Sequence, residues 1–348
     1  PEIEAALASR ISLHFAENLL PAPGNAQEDA VFHQAGQMLV RQRMRSMPGL
    51  DHLARLASSP IVPGAHAFGR IIRFLSETHP SLKGILGIEL GAAVATAAAA
   101  FSGRLAVEAC PQLGLAQLFA HIQQPAPELA LQKILRWANS PLSPHLVRAY
   151  LANRALFPGS MAYTVEEAAI EQALARIAIQ QLVEKISPHF PAGLSTPRKG
   201  LLPWFEPILA TGEIFAQPAS LGQALLMLLD RLQPTGITTF ILDTHQLAPS
   251  LGAIAATHPA AAIQVLESSA FCHLGSVVTP VGRAQPGSPI LRVRVEPDEG
   301  ENQSLSEAFS IDLLQGSLEV IPLPIGQVSR LHLQPMQKLD MGRGGGGA

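Results

Sequence analysis

The stretch ILGIELGAAVATAAAAFSGRL, residues 85–105, places the strongest constraint on the fold. It is an apolar run built largely from alanine, with one carboxylate, Glu89, two residues before Gly91. Ser102-Gly103 follows as a turn signal, and GRLAVEA continues as a second apolar run. Apolar runs separated by such a dipeptide are typical of strands joined by a tight turn. We therefore predict two short strands, with Glu89 at a strand edge, embedded among helices.

The same run also has to be tested as a membrane helix, because residues 84–101 come close to the roughly 20 residues that span a bilayer. The run consists mostly of Ala and Gly, carries Glu89 and has no flanking aromatic or basic belt. The opening PEIEAALASRISLHF likewise lacks the basic start and apolar run of a signal peptide. We predict no membrane association.

Charge and cysteine usage exclude two further classes. The net charge is −3 and the basic residues are spread along the chain, so the footprint of a nucleic-acid-binding protein is missing. Arg41, Arg43 and Arg45 form one local basic cluster in a helix-like segment, where a solvated face is the favoured interpretation. Cys110 and Cys272 are far apart in apolar settings, which is typical of a reduced, cytoplasmic protein.

Around the central run the patterns alternate between helix and strand. Residues 1–60 and the segment HAFGRIIRFLSE are predicted to be helical, and the strongest helix signal starts at Thr164, which forms a capping box with Glu167. From Leu201 the order is strand in WFEPILATG, helix in SLGQALLMLLDRL, strand in ITTFILD, helix in LAPSLGAIAA and strand in AAIQVLE. Such alternation predicts an α/β core.

The composition changes again after residue 267. The runs SVVTPVG, PILRVRVEP, AFSIDLLQG, SLEVIPLP and VSRLHLQP are separated by Gly, Pro and Asp, and no helical stripe remains. This spacing predicts a small all-β domain. The predicted organisation is a helical N-terminal segment (1–60), an α/β domain (61–267), an all-β domain (268–336) and a flexible glycine-rich tail (337–348).

Chemical motifs are few. The sequence has no H-E-x-x-H, no His/Cys cluster at metal-ligand spacing and no G-x-S-x-G, so neither a metal site nor a catalytic site is predicted. Asp243 and His245 are interpreted as hydrogen-bonded loop residues. Glu89-Leu90-Gly91 has the layout of a backbone phosphate loop, with a carboxylate that could hold a metal-bound water. A plain buried hairpin with Glu89 at its edge is the competing interpretation.

The order of these pieces resembles the second half of an actin/Hsp70/sugar-kinase type ATPase domain and, more narrowly, the MutL family of glutamate mutase accessory proteins. The blocks that carry the resemblance are LGIELGAAVATA at 86–97 and the segments 148–179, 207–255 and 318–335. The resemblance implies an actin-like ATPase (ribonuclease H-like) α/β fold that lacks the usual first hairpin. It also implies ATP-dependent service to an adenosylcobalamin mutase, with nucleotide held between two lobes.

Carried over by position, the resemblance assigns a nucleotide site. Glu89, Gly91 and Ala92 fall on the second phosphate motif, Gly212 and Glu213 on the adenosine turn, and Gly252 on the helix that connects the lobes. The departures from the family pattern are concentrated in the same places. The family's Asp is Glu89 here, its two hydroxyl residues fall on Val94 and Ala95, and its second glycine after Gly212 is Glu213.

These departures favour a degenerate, non-hydrolysing relative that binds a partner or assists assembly. No catalytic residue and no cofactor are then expected, and ATP with Mg²⁺ is expected only if the family function is retained. Self-association or a protein partner is predicted, with a B12-dependent mutase as a candidate. The alternative is an active ATP-dependent accessory protein for such a mutase. A small-molecule kinase of the same superfold is more remote, because no Asp can be placed as its base.

Overall fold

The computed structural model describes residues 13, 28–57, 60–78, 83–121, 127–138, 141–194, 196, 198, 200–218, 220–297, 308–323 and 328–342. Its helices are α1 (Glu28–Ser46), α2 (Leu50–Leu56), α3 (Gly64–Thr78), α4 (Leu115–His121), α5 (Pro127–Trp137), α6 (Pro144–Leu156), α7 (Val165–Ile186), α8 (Glu213–Ala216), α9 (Leu221–Leu232), α10 (Ala248–Ile254) and α11 (Pro259–Leu266). Its strands are β1 (Gly84–Leu90), β2 (Ala95–Phe101), β3 (Arg104–Cys110), β4 (Phe205–Thr211), β5 (Gly236–Asp243), β6 (Phe271–Thr279), β7 (Val281–Gly282), β8 (Pro289–Pro297), β9 (Phe309–Leu314), β10 (Ser329–Pro335) and β11 (Leu339–Asp340).

A six-stranded mixed sheet organises the chain, in the order β3-β2-β1-β4-β5-β6. The first three strands form an antiparallel meander, β1, β4 and β5 run parallel, and β6 closes the edge antiparallel to β5. The predicted α/β fold followed by small sheets is confirmed, and the actin-like ATPase (ribonuclease H-like) type stays an expectation from the family resemblance. Within the described residues, only helices and loops precede Gly84.

The central apolar run is corrected in one respect. Residues 84–101 form two strands, β1 and β2, where the sequence predicted one. The chain reverses at Gly91, whose N–H donates to the carbonyl of Val94 at 3.0 Å. The second turn, at Ser102-Gly103, lies where it was predicted. A turn made only of small apolar residues carries none of the usual turn signals, which is why it was missed.

Helices cover both faces of the sheet, which explains why its central strands are apolar on both sides. On one face, Leu86, Ile88 and Leu90 pack with residues of α7 such as Ile170 and Leu174. On the other face, Ile85 packs with α3 and α10. The predicted capping box of α7 is present, with Thr164 accepting from the Glu167 N–H. We refer to the α7 face and the α3–α10 face below.

Three other predicted strands differ from the structure. AAIQVLE lies in helix α11, because Pro259 is pre-set for a first helical turn and alanine favours helix. SVVTPVG, assigned to the all-β region, lies largely in β6 of the main sheet. SLEVIPLP has no regular structure in its described residues, consistent with the proline that cannot donate to a ladder. The helix predicted in LASRISLHFAENLL falls, apart from residue 13, outside the described residues.

Two small sheets follow the main sheet. One has the order β10-β8-β9 and buries Leu291, Val293 and Val295, and the other pairs β11 with β7. The predicted glycine-rich tail is described as far as Gly342, whose backbone lies against Gly236 at the start of β5. The domain boundaries given above stay a prediction. No helix in the described part of the chain is long and apolar enough to cross a membrane.

Candidate functional site

Glu89 is part of a polar row that crosses four strands at one end of the sheet. In the strand register, Glu89 of β1 lies opposite Thr96 of β2 on one side and Thr211 of β4 on the other. Thr211 in turn lies opposite Asp243 of β5. Directly opposed residues of neighbouring strands present their side chains to the same face. The four side chains therefore share the α3–α10 face, at the carboxyl ends of the parallel strands.

Asp243 is the fully buried carboxylate of this row. One carboxylate oxygen, Oδ2, accepts hydrogen bonds from Thr211 Oγ1 at 3.0 Å and from the Ala248 N–H at 2.7 Å. The other, Oδ1, accepts from the His245 N–H at 3.3 Å. The side chain thus ties β4 and β5 to the first turn of α10. The interpretation of Asp243 as a hydrogen-bonded residue is confirmed, but it lies at the end of strand β5 and not in a loop.

Glu89 is half-buried and lacks such support. Burial raises the pKa of its carboxyl group above the usual value, the Thr96 hydroxyl offsets part of that rise, and the negative charge of Asp243 adds to it. The Thr96 hydroxyl is itself buried and makes no hydrogen bond of normal geometry with a described residue, so it acts on Glu89 as a nearby dipole. Two neighbouring carboxylates without a cation disfavour a doubly charged row.

The loop that joins β1 to β2 is docked onto helix α4. The carbonyls of Gly91 and Ala92 accept from the N–H groups of Leu115 and Ala116 at 3.0 and 2.9 Å. The Gly91 N–H is already used within the turn, whereas exposed Ala92 and Ala93 donate no hydrogen bond to a described residue. The loop therefore offers two backbone N–H groups to a ligand, and none of its side chains carries a hydroxyl.

Gly212 lies beside this loop, at the end of β4. Its φ is 127°, and a Cβ at this position would come within 2.4 Å of the Leu90 carbonyl oxygen. Only glycine fits such a conformation so close to the neighbouring backbone. The structure thus brings Gly212 together with Glu89, Gly91 and Ala92 at one edge. Glu213 follows as an exposed residue at the start of the single-turn helix α8.

Gly252 is placed elsewhere. It lies in α10, where a Cβ would come within 1.8 Å of the Ala67 carbonyl oxygen of α3. The glycine therefore permits the close crossing of α10 and α3, and it belongs to the packing behind the polar row. Of the six site residues assigned from the sequence, five lie at the sheet edge and one in this helix crossing. Their role in nucleotide binding stays a prediction.

Two residues of the row, Thr96 and Thr211, were missed by the sequence analysis. Their signal is positional: Glu89, Thr211 and Asp243 all lie at or next to the last residue of parallel strands. Carboxyl ends of adjacent parallel strands meet at one edge, where open α/β sheets bind ligands. Recognising that signal requires the strand order, which no local pattern contains.

Magnesium ATP fits these residues poorly. Among the described residues no group of three or more His, Cys, Asp or Glu side chains could hold a metal ion on its own, whereas Mg²⁺ bound with a nucleotide needs only one or two carboxylates. Val94 is an apolar side chain in the loop, and Ala95 is fully buried in the core of the α7 face. The one half-exposed carboxylate, Glu89, is desolvated rather than paired. Within the loop, the exposed groups that could bind a phosphate are the N–H groups of Ala92 and Ala93.

Comparisons with known proteins give a family match. The family model described as MutL protein matches residues 1–270. No match was found among curated proteins.

Solved structures give remote similarities. The Acidaminococcus fermentans (R)-2-hydroxyglutaryl-CoA dehydratase component A is 14% identical, covering 60% of this chain and 71% of that one, with a TM-score of 0.31. The activator of the 2-hydroxyisocaproyl-CoA dehydratase from Clostridium difficile, solved with bound ADPNP, is 15% identical, covering 66% and 84%, with a TM-score of 0.31. Acetate kinase from Entamoeba histolytica is 13% identical, covering 56% of each chain, with a TM-score of 0.27.

Proposed function

The chain belongs to the MutL family, and from that membership we propose that it serves a protein partner as an accessory subunit without hydrolysing ATP itself. Family membership supports the accessory role. The absence of hydrolysis is supported by the sheet edge, where the residues of a phosphate site are only partly present. The proposed partner is an adenosylcobalamin-dependent mutase, which the resemblance to glutamate mutase accessory proteins suggests.

The observation that carries the proposal is the composition of the loop 91–94. It contains no hydroxyl side chain, the carbonyls of Gly91 and Ala92 are bound by α4, and its exposed N–H groups are those of Ala92 and Ala93. Phosphate loops bind through several converging N–H groups, usually with a lysine and a hydroxyl that holds Mg²⁺. Two N–H groups leave most of the charge of a triphosphate uncompensated.

The negative charges around the loop also disfavour nucleotide binding. Glu89 and Asp243 face one another across Thr211, and Glu213 is exposed immediately after Gly212. Each added carboxylate raises the electrostatic energy of a nearby phosphate. A nucleotide at this edge would therefore require a cation that the described residues of the row do not supply.

Nucleotide binding is the direct test. Titration calorimetry of the full chain with MgATP and with MgADP is expected to give no binding heat up to about 1 mM nucleotide, which corresponds to a binding free energy weaker than about −4 kcal/mol. Micromolar binding would contradict the proposal. Gly212→Ala serves as a control in that case, because its Cβ would displace the turn and should abolish any binding specific to this edge.

Turnover separates the proposal from its alternative, an active ATP-dependent accessory protein. The wild type, Glu89→Gln and the exposed control Glu319→Gln are assayed for ATP hydrolysis with and without an inactivated adenosylcobalamin mutase. We expect no hydrolysis in any of the six samples. Hydrolysis by the wild type and by Glu319→Gln that is lost in Glu89→Gln would establish the active alternative.

A further inference from the structure

The segment that connects α6 to α7 exposes large apolar side chains in unusual density. Over residues 156–165 the exposed fractions are 73% for Leu156, 66% for Phe157, 67% for Met161, 96% for Tyr163 and 77% for Val165. We call these five residues the α6–α7 apolar loop. Scattered apolar residues on a surface are ordinary, whereas a contiguous patch marks an interaction site.

The backbone of this loop is fixed from below by Arg154. Its buried guanidinium donates to the carbonyl of Pro158 at 2.8 Å, to the carbonyl of Ser160 and to Ser160 Oγ at 3.1 Å. The same group pairs with Glu171 at 2.8 Å and lies over the Phe119 ring, 4.5 Å from its centroid. A single buried cation thus holds the middle of the loop.

The C-terminal end of the loop is fixed by the cap of α7. Glu167 Oε2 accepts from the Tyr163 N–H at 2.7 Å and from the Thr164 N–H at 3.3 Å. At the other end, the Ser160 N–H donates to the Phe157 carbonyl at 3.1 Å. The backbone is therefore ordered while its apolar side chains face solvent. A surface ordered before binding avoids much of the entropic cost of association.

The size of the patch approaches that of one side of a dimer interface. Aromatic side chains such as Phe157 and Tyr163 contribute about 150–250 Å² each, so the five exposed residues present several hundred Å² together, a large part of the ~800 Å² that each partner contributes to a standard interface. Tyr, Phe and Met are also enriched at interface cores, where charged residues are depleted.

The charge pattern favours a second copy of this chain as the occupant. From Ala155 to Val165 the sequence contains no charged residue. A two-fold symmetric interface brings each patch against its own copy, so any net charge within the patch would repel itself. We infer that the α6–α7 apolar loop is a self-association surface through which two copies of the chain form a symmetric dimer.

This inference goes beyond the proposed function and does not depend on it. The loop leads into α7, which packs on the α7 face, whereas Glu89 lies on the α3–α10 face. A nucleotide-binding chain could dimerise through the loop, and a chain without nucleotide could fail to do so. Nucleotide titration therefore tests the proposed function, and mass measurement tests dimerisation, so either hypothesis can be refuted without the other.

The test is the mass of the full chain in solution, measured by light scattering and sedimentation equilibrium over a range of concentrations. The test variant combines Phe157→Asp with Tyr163→Asp, and the matched control combines Leu318→Asp with Val320→Asp, which are 62% and 77% exposed. Circular dichroism checks that both variants are folded. All four positions are exposed, so the substitutions leave the core intact.

We expect a concentration-dependent dimer for the wild type and for the control. In the test variant the dimer dissociation constant should rise about 100-fold or more, because buried aromatic anchors carry most of the energy of an interface. Three results would overturn the inference: a wild type that is monomeric at the highest soluble concentration, a dimer that is unaffected by the loop substitutions, or one weakened equally by the control.

Discussion

Acidic side chains on the two faces of the main sheet differ in whether a positively charged partner neutralises them. In the helical layer on the α7 face, buried Glu171 accepts from Tyr150 Oη at 2.6 Å and pairs with Arg154 at 2.8 Å. On the α3–α10 face, Glu89 and Asp243 share a row with two threonines and no cation. A paired buried carboxylate is a structural element, whereas an unpaired and desolvated one at a strand end is typical of a functional site or its remnant.

The same contrast appears in protonation. Burial, followed by the hydrogen bond to Glu171, raises the pKa of the Tyr150 hydroxyl, so that it stays a donor and completes the set of partners around Glu171. On the other face, burial raises the pKa of Glu89 without a compensating positive charge. Removing the charge of Glu89 should therefore stabilise the fold, whereas removing the cation that pairs with Glu171 should destabilise it.

The largest effect is expected from Arg154→Ala on the α7 face. It leaves Glu171 buried without its cation and frees the carbonyls of Pro158 and Ser160. Breaking a buried pair typically lowers the free energy of unfolding by about 3–5 kcal/mol. Urea denaturation measures the change. Arg148→Ala removes an exposed pair with Glu128 and should lower the free energy of unfolding by about 1 kcal/mol or less. Equal losses would contradict the contrast.

The next effect is expected from Gly252→Ala on the α3–α10 face. The added Cβ would come within 1.8 Å of the Ala67 carbonyl oxygen, so the two helices must separate. Overpacking of this kind costs about 1–3 kcal/mol of unfolding free energy.

Gly222→Ala is the matched control for Gly252→Ala. Gly222 lies in helix α9, and its nearest contact would be Ser220 Oγ at 3.8 Å. Because alanine is favoured over glycine in a helix and nothing obstructs the Cβ, this variant should gain about 0.5–1 kcal/mol of unfolding free energy. Thermal unfolding of the two variants measures whether each is less or more stable than the wild type. If both were less stable, the close crossing of α3 and α10 would not explain the loss in Gly252→Ala.

The smallest effect is expected from Glu89→Gln, and it is a gain in stability at neutral pH. Because burial raises the pKa in the folded state, the folded protein binds more protons than the unfolded one between the two pKa values, and stability falls as pH rises through that window. Glu89→Gln should therefore match the wild type near pH 4 and be more stable at pH 7. Denaturation curves at both pH values measure the difference.

Glu319→Gln is the control for this pH dependence, because Glu319 is exposed and lies outside the main sheet. It should leave the pH profile of stability unchanged. A Glu89→Gln variant that was less stable than the wild type at pH 7 would mean that the Glu89 carboxylate has a favourable partner, which would move Glu89 to the same class as Glu171.

Most of the element order could be predicted from the sequence because its signals are local. The capping box at Thr164 and the amphipathic stripe of α7 identify that helix without tertiary information. Helix α11 was predicted as a strand, because the short apolar run after Pro259 has no clear period and the helix-favouring alanines were outweighed.

The surroundings of Glu89 could be predicted only in part. Gly91 and Gly212 were assigned to one site through a family pattern, and the structure brings them together. Thr96, Thr211 and Asp243 lie on three other strands, and their alignment with Glu89 follows from register, which depends on packing over the whole sheet. The order of the α6–α7 apolar loop could not be predicted from the sequence either, because Arg154 resembles any surface arginine until its burial is known.

Helix α3 crosses α10 at a point where only glycine fits, and its Phe68, Ile71 and Ile72 are fully buried against the sheet. Close-packed interiors have low compressibility, so helix α3 has a single well-packed position against the sheet. Helix α3, which begins at Gly64, is therefore held rigidly against the sheet. Its Ile72 and Phe68 lie against Gly87 of β1, where a Cβ would come within 2.6 and 2.7 Å of them, so a displacement of α3 would disturb that strand directly.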